Sequence, residues 1–183
     1  MYYGEIAGFF QRFMEHLSLS VDVIAVVIGD GASLATQTVV NENKLFVCGV
    51  GPDAAAAGLL CELLQQGMFR ERPAIPVVEL TTRQMTSLDP GISWLTQQLT
   101  ALGQAGDMAI IFASSASQVD LELIGAVTAK RSMRSLWIGA LGSGPSLPFA
   151  GADRASALAL CQCTSLCLAR LVDSTLFGPL EED

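Results

Sequence analysis

The sequence predicts an α/β domain: a three-layer, doubly wound and mostly parallel sheet preceded by N-terminal helices. Three observations carry that prediction. From Lys44 onward, short apolar runs recur without polar alternation, as strands covered on both faces do. Segments with helical spacing of apolar residues separate these runs. The connections between them are short, which favours right-handed crossovers within one sheet.

Residues 1–43 form a helical segment in this reading. Ile6, Phe9, Phe10, Phe13, Met14 and Leu17 recur at the i, i+3, i+4, i+7 spacing of an amphipathic helix, with His16 beside the stripe on a solvated face. A second helix is expected after Ser20 as N-cap, through Ile24, Val27, Ile28, Leu34, Ala35, Thr38 and Val39. Gly29 and Gly31 predict a kink or break within it. In the α/β core, residues 44–177, strands are read at Leu45–Cys48, Pro76–Leu80, Met108–Ala113 and Leu136–Ala140. A weak fifth falls at Leu147–Gly151, where prolines and glycines interrupt the run. Helices are read at Ala54–Gln66, Ile92–Leu102, Val119–Arg131 and Ser156–Leu176. Residues 178–183 are an acidic tail, and nothing divides the chain into two domains.

Composition narrows the class. A length of 183 residues with 51% hydrophobic side chains suits one well-cored domain, and 15% charged residues rules against disorder. Mean hydropathy is +0.46, yet apolar runs such as Val23–Ile28 stay far below the ~20 residues of a membrane span, so no membrane partner is expected. The start carries Glu5 and lacks the basic region of a signal peptide, which makes the cytoplasm the expected location. A net charge of −8 with scattered Lys and Arg excludes direct nucleic-acid binding through phosphate neutralisation. Five cysteines in such a chain do not make a disulfide framework. Cys161, Cys163 and Cys167 lie close in sequence, but without a nearby histidine they read as buried small hydrophobes rather than metal ligands. No metal or cofactor is expected.

Ligands of open parallel sheets sit at the carboxyl ends of the strands, so two loops matter most. The first, Gly49-Val50-Gly51-Pro52-Asp53-Ala54, fits G-x-G-x-x-A between a strand and a helix. Its detail opposes a phosphate, because Asp53 puts a carboxylate at the helix start and is placed to cap the first turn. Glu79 lies further along than a ribose-binding acid would. The second, Ala113-Ser114-Ser115-Ala116-Ser117, either cradles an anion with its hydroxyls and N–H groups or caps the next helix. Gly49, Gly51, Asp53, Ser114, Ser115 and Ser117 are thus the candidate pocket, in degenerate form.

The stretches Lys44–Leu63, Glu71-Arg72-Pro73-Ala74-Ile75-Pro76 and Ala101–Asp107 together resemble the sugar-isomerase (SIS) domain family. The branch is that of the phosphoheptose isomerases and the initiator-associating protein DiaA, whose ending L-I-D-N-T-L-F is similar to Leu171–Phe177 here. The resemblance covers about Lys44 to Phe177 and implies a flavodoxin-like SIS fold. The departures bear on chemistry. The family's G-N-G-G-S loop reads Gly49–Asp53, with an acid in place of the phosphate-holding serine, and S-T-S-G-N-S reads Ala113–Gln118. The family's histidine and glutamate on the first crossover helix fall on Leu59 and Leu63, with Glu62 expected on another face. Its Q-E-x-H on the last helix falls on Leu158–Cys161. Isomerisation needs a positioned acid and base, so no catalytic residue is expected.

What the resemblance implies is a non-catalytic adaptor: a homo-oligomer, a tetramer, that binds the replication initiator DnaA. Leu176 and Phe177 match DiaA's terminal Leu-Phe pair, which implies a partner contact, while both can equally close the core. The alternatives are a phosphoheptose isomerase acting on sedoheptulose 7-phosphate and a phosphosugar-binding regulator.

Overall fold

The structure, a computed structural model, describes residues 2–68, 70–82 and 91–179. Residues 180–183 of the acidic tail lie outside the described residues. The elements run α1 (Tyr3–Val40), β1 (Leu45–Gly49), α2 (Ala54–Gln66), β2 (Val77–Thr81), α3 (Ile92–Leu102), β3 (Met108–Phe112), α4 (Gln118–Lys130), β4 (Arg134–Ile138), β5 (Ser146–Leu147) and α5 (Arg154–Phe177). A 3-10 turn, Gly51–Asp53, leads into α2. The strands form one parallel sheet in the order β2-β1-β3-β4-β5. The expected α/β class, with its parallel sheet and N-terminal helix, is therefore the one observed.

Alternate strand residues face opposite layers. Leu45, Val47, Ile110, Phe112 and Leu136 pack with Ile28 and Ala35 of α1, Leu60 and Leu64 of α2, and Leu160 and Leu168 of α5. Phe46, Cys48, Ala109, Ile111 and Trp137 pack with Leu95 and Leu99 of α3 and Ile124 of α4. Helices on both sides explain why the strands read as unbroken apolar runs.

The N-terminal segment corrects the two-helix expectation. It is one 38-residue helix, and Ser20 lies inside it rather than at a cap. Gly31 does not break the helix because it is needed there: a Cβ would come within 2.6 Å of Leu136 Cδ2. The gain is a close approach of α1 to β4, which outweighs a helix-interior glycine cost of about 1 kcal/mol. All five buried residues of α1 lie at or beyond Ile28, while Ile6, Phe9, Phe10, Met14 and Leu17 are exposed. By length and composition, α1 and α5 are each long and apolar enough to cross a bilayer, contrary to the expectation from short runs. Half of the apolar stretch of α5 is buried in the domain, against 17% for α1.

Buried ion pairs tie the elements together. Asp107, buried, accepts from the Lys44 backbone N–H at 3.0 Å, from Lys44 Nζ at 2.8 Å and from the Gln104 N–H at 2.9 Å. Arg72 donates to Asp173 at 2.6 Å and to the carbonyls of Leu63 and Leu64, closing the end of α2 against α5. Both side chains of that pair are about fully buried, at 2% and 1% exposure. Arg70 donates to the carbonyls of Phe177, Gly178 and Pro179, satisfying the end of α5.

The cysteines divide by burial. Cys48, Cys61 and Cys161 are buried, whereas Cys163 and Cys167 are exposed on α5, which corrects their reading as buried hydrophobes. Burial pushes the Cys48 thiol well up, and Cys61 is pushed up to about 12 by burial and by the nearby Glu79 carboxylate. Desolvation also raises Cys167, with Arg170 opposing it.

Two outcomes are expected. A thiol reagent should label two of the five cysteines in the native protein, Cys163 and Cys167, and the other three only on unfolding, counted by mass spectrometry. Arg72→Ala should lower unfolding free energy by about 3–5 kcal/mol in a urea titration, because Asp173 would be left buried without its cation.

Candidate functional site

The sheet order turns around β1: the chain leaves it to one side for β2 and to the other for β3. The crevice outside the carboxyl ends of β1 and β3 is the place where such a sheet exposes loop backbone. The β1 loop is shaped by glycine. A Cβ on Gly49 would lie 2.6 Å from Ala54 Cα, so the turn into α2 folds back onto the strand only because that position is bare. Gly51 takes φ +59 and donates its N–H to Thr82 Oγ1 at 2.9 Å.

Asp53 does not cap α2, which corrects the sequence reading. Its backbone is already helical at φ −70, ψ −7, continuing the 3-10 turn, and a capping side chain needs an extended backbone. The side chain instead turns inward and is fully buried. Ser114 Oγ donates to it, 2.8 Å from Oδ1 and 3.0 Å from Oδ2. The Cys161 thiol of α5 lies beside Asp53; burial pushes it up strongly, and the neighbouring carboxylate pushes in the same direction. Three elements thus meet in a small polar cluster of Asp53, Ser114 and Cys161, sealed from solvent on the Asp53 side.

Outside this cluster lies a cavity of about 390 Å³ between the β3 and β4 loops and the start of α5. Ser114, Ser115, Gly139 and Arg154 are the lining residues with polar or loop character, and Phe149 and Ala157 close it. Gly139, at φ +82, abuts Ser114 so closely that a Cβ would sit 2.7 Å from its Cα. The candidate residues therefore separate. Ser114 and Ser115 line the cavity, Gly49 and Gly51 shape the adjoining turn, and Asp53 lies behind Ser114. Ser117 goes to the cap: its Oγ accepts from the Asp120 N–H at 3.2 Å, and Asp120 Oδ2 accepts from the Ser117 N–H at 3.1 Å. Glu79 stands in mid-strand beside Gly58 of α2, away from the loop.

Arg154 and Gly139 were not found by sequence reasoning. Nothing in their neighbourhood announces a ligand, and only the folding of α5 back over β4 brings them to the cavity. Asp153, just before, caps α5 through the N–H groups of Ala155 and Ser156. Those bonds, with Ser156 foremost, hold the Asp153 carboxyl below its ordinary range.

A second hollow of about 310 Å³ lies on α2 between Leu59, Glu62, Leu63, Gln66 and Met68. Glu62 was expected on a different face from Leu59 and Leu63, yet it lines the same hollow. Residues three apart on a helix are neighbours, which brings Glu62 beside Leu59, and Gln66 Nε2 donates to it at 3.4 Å. On α5, Leu160 and Cys161 are core residues. Leu176 is half-buried against the core and Phe177 is 38% exposed, its ring 5.4 Å beneath the Arg72 guanidinium. Leu176 therefore belongs to the last core turn.

No family model matches the chain. The phosphoheptose isomerase of Chromohalobacter salexigens is 25% identical over 193 residues, covering 97% of this chain and 98% of its own. That of Pseudoalteromonas atlantica is 30% identical over 128 residues, covering 67% of this chain and 64% of its own. Among solved structures, phosphoheptose isomerase GmhA from Neisseria gonorrhoeae superposes with a TM-score of 0.81 at 19% identity, over 95% of this chain and 100% of that one. A phosphoheptose isomerase from Francisella tularensis gives 0.80 at 16% identity, over 95% and 99%. The chain is thus similar in sequence to phosphoheptose isomerases, one of them along its whole length, and shares its fold with solved ones.

Proposed function

We propose that this chain is a non-catalytic, cytoplasmic SIS-domain adaptor of the DiaA kind, a homotetramer that binds a DnaA-type initiator. The observation that carries the non-catalytic part is the closed cluster at the switch point. The carboxylate of Asp53 occupies the place of the family's phosphate-holding serine and takes the Ser114 hydroxyl for itself. The positions matching the family's acid and base are Leu59, Leu63 and Leu158–Cys161, and Cys161 is a buried thiol held protonated. Proton transfer to a substrate needs a group within hydrogen-bond reach whose pKa suits neutral pH. None of these provides one.

The oligomer is supported by α1, whose first half leaves Ile6, Phe9, Phe10 and Met14 on the outside. Contiguous apolar surface of that kind marks an interaction site. A symmetric assembly would present several copies of each partner contact and raise the effective concentration of the bound proteins. Phe177 is the exposed aromatic candidate for that contact.

The second reading, an isomerase-like enzyme, is favoured by the relatives' names and by Glu62, an exposed carboxylate beside Leu59 and Leu63. An assay with sedoheptulose 7-phosphate separates the two. The adaptor reading expects turnover at the buffer rate, and turnover lost in Glu62→Gln would replace it with the enzyme reading.

The partner contact is tested by single substitutions. Phe177→Ala should cost only about 1 kcal/mol, the scale of a lost cation–π contact, and should abolish capture of DnaA on a pull-down. Leu176→Ala should cost about 2 kcal/mol or more, because that side chain packs on the core. Undiminished capture by folded Phe177→Ala would remove Phe177 from the contact. Light scattering of the wild type should give four times the subunit mass, and a monomer at tens of micromolar would end the tetramer reading.

A further inference from the structure

Ser114 stands between two environments. Its hydroxyl donates to the buried Asp53 carboxylate, and the residue also lines the 390 Å³ cavity that Arg154 and Ser115 share. A serine hydroxyl has a single proton to donate and lone pairs to accept with. Since that proton is directed at Asp53, the Ser114 hydroxyl can meet a ligand as an acceptor only. An anion needs donors, so the residue best placed to bind one is turned the wrong way round.

We propose that Asp53 is a specificity-determining residue that excludes anions from this cavity by fixing the polarity of Ser114. The effect is stronger than the loss of one donor. The carboxylate lies directly behind Ser114 in an enclosed cluster, where its field is weakly screened, and an incoming anion would meet it across a single hydroxyl. The cavity otherwise suits an anion. Arg154 lines it with a guanidinium that has no hydrogen-bond acceptor among the described residues, and the Ser115 hydroxyl is exposed beside it. Asp53 is thus the element that decides between two ligand classes: neutral hydroxyl donors with it, phosphate-like anions without it. The inference rests on the reading of this pocket as a former anion site, and it is independent of initiator binding.

Asp53→Asn tests it with little change of shape. An asparagine can turn its amide N–H toward Ser114 Oγ, which releases the serine proton. Inorganic phosphate is the probe, titrated by calorimetry against the full chain, with circular dichroism and light scattering to establish that each variant is folded and assembled like the wild type. The wild type should show no saturable binding at millimolar phosphate. Asp53→Asn and Asp53→Ser should each bind with a Kd about tenfold or more below any wild-type value. Adding Ser114→Ala to either should reverse the gain, which separates a freed donor from mere relief of charge. Saturable phosphate binding by the wild type, equal to that of the variants, would overturn the proposal, and that arm requires no variant to fold. A folded Asp53→Asn or Asp53→Ser that ignores phosphate would overturn it too. So would a gain that survives Ser114→Ala.

Discussion

A carboxylate inside the crevice of a parallel sheet must be answered by hydrogen bonds, and the arrangement of the whole carboxyl edge follows from how Asp53 is answered. Leaving a buried acid unpaired would cost several kcal/mol. Here the β3 loop brings Ser114 onto it and α5 brings Cys161, so the first and third strand loops and the last helix are drawn to one point. The bare backbones at Gly49 and Gly139 let those loops approach. What is left over, outside Ser114, is the cavity. Its place therefore follows from how an internal charge is satisfied.

The layered fold was legible because burial on both faces leaves an unambiguous trace. Ala54–Gln66 and Ile92–Leu102 were read with the bounds the structure shows, each stopped by a following glycine. The misreadings share a cause: they concern contacts between residues far apart in sequence. Gly31 reads as a helix breaker until Leu136 is known to lie against it. Asp53 reads as a cap until its helical backbone angles turn the side chain away from the first turn. Arg154 carries no local signal at all, and Glu62 could be placed only once the hollow on α2 was seen to reach round to it. The site was thus half legible: its loops from strand order, its chemistry only from tertiary contacts.

The polar interior is arranged around helix ends rather than around a reaction. Arg70 and Arg72 spend their donors on the terminal carbonyls of α5 and α2, and Asp107 gathers the start of β1. The strongest buried interactions therefore hold the frame, and large apolar side chains remain outside it on the first half of α1 and at Phe177 at the end of α5.

The length of α1 bears on how the chain comes to be folded at all. A helix of 38 residues spans about 57 Å, nearly twice the width of a small domain. Its second half is held by the sheet and α5, whereas its first half has little of the domain beneath it. A helix without tertiary packing has only its propensity and its own hydrogen bonds to hold it, and its order falls as temperature rises. The free half relies on its own backbone hydrogen bonds, so warming should fray it from the N-terminal end before it disturbs the core.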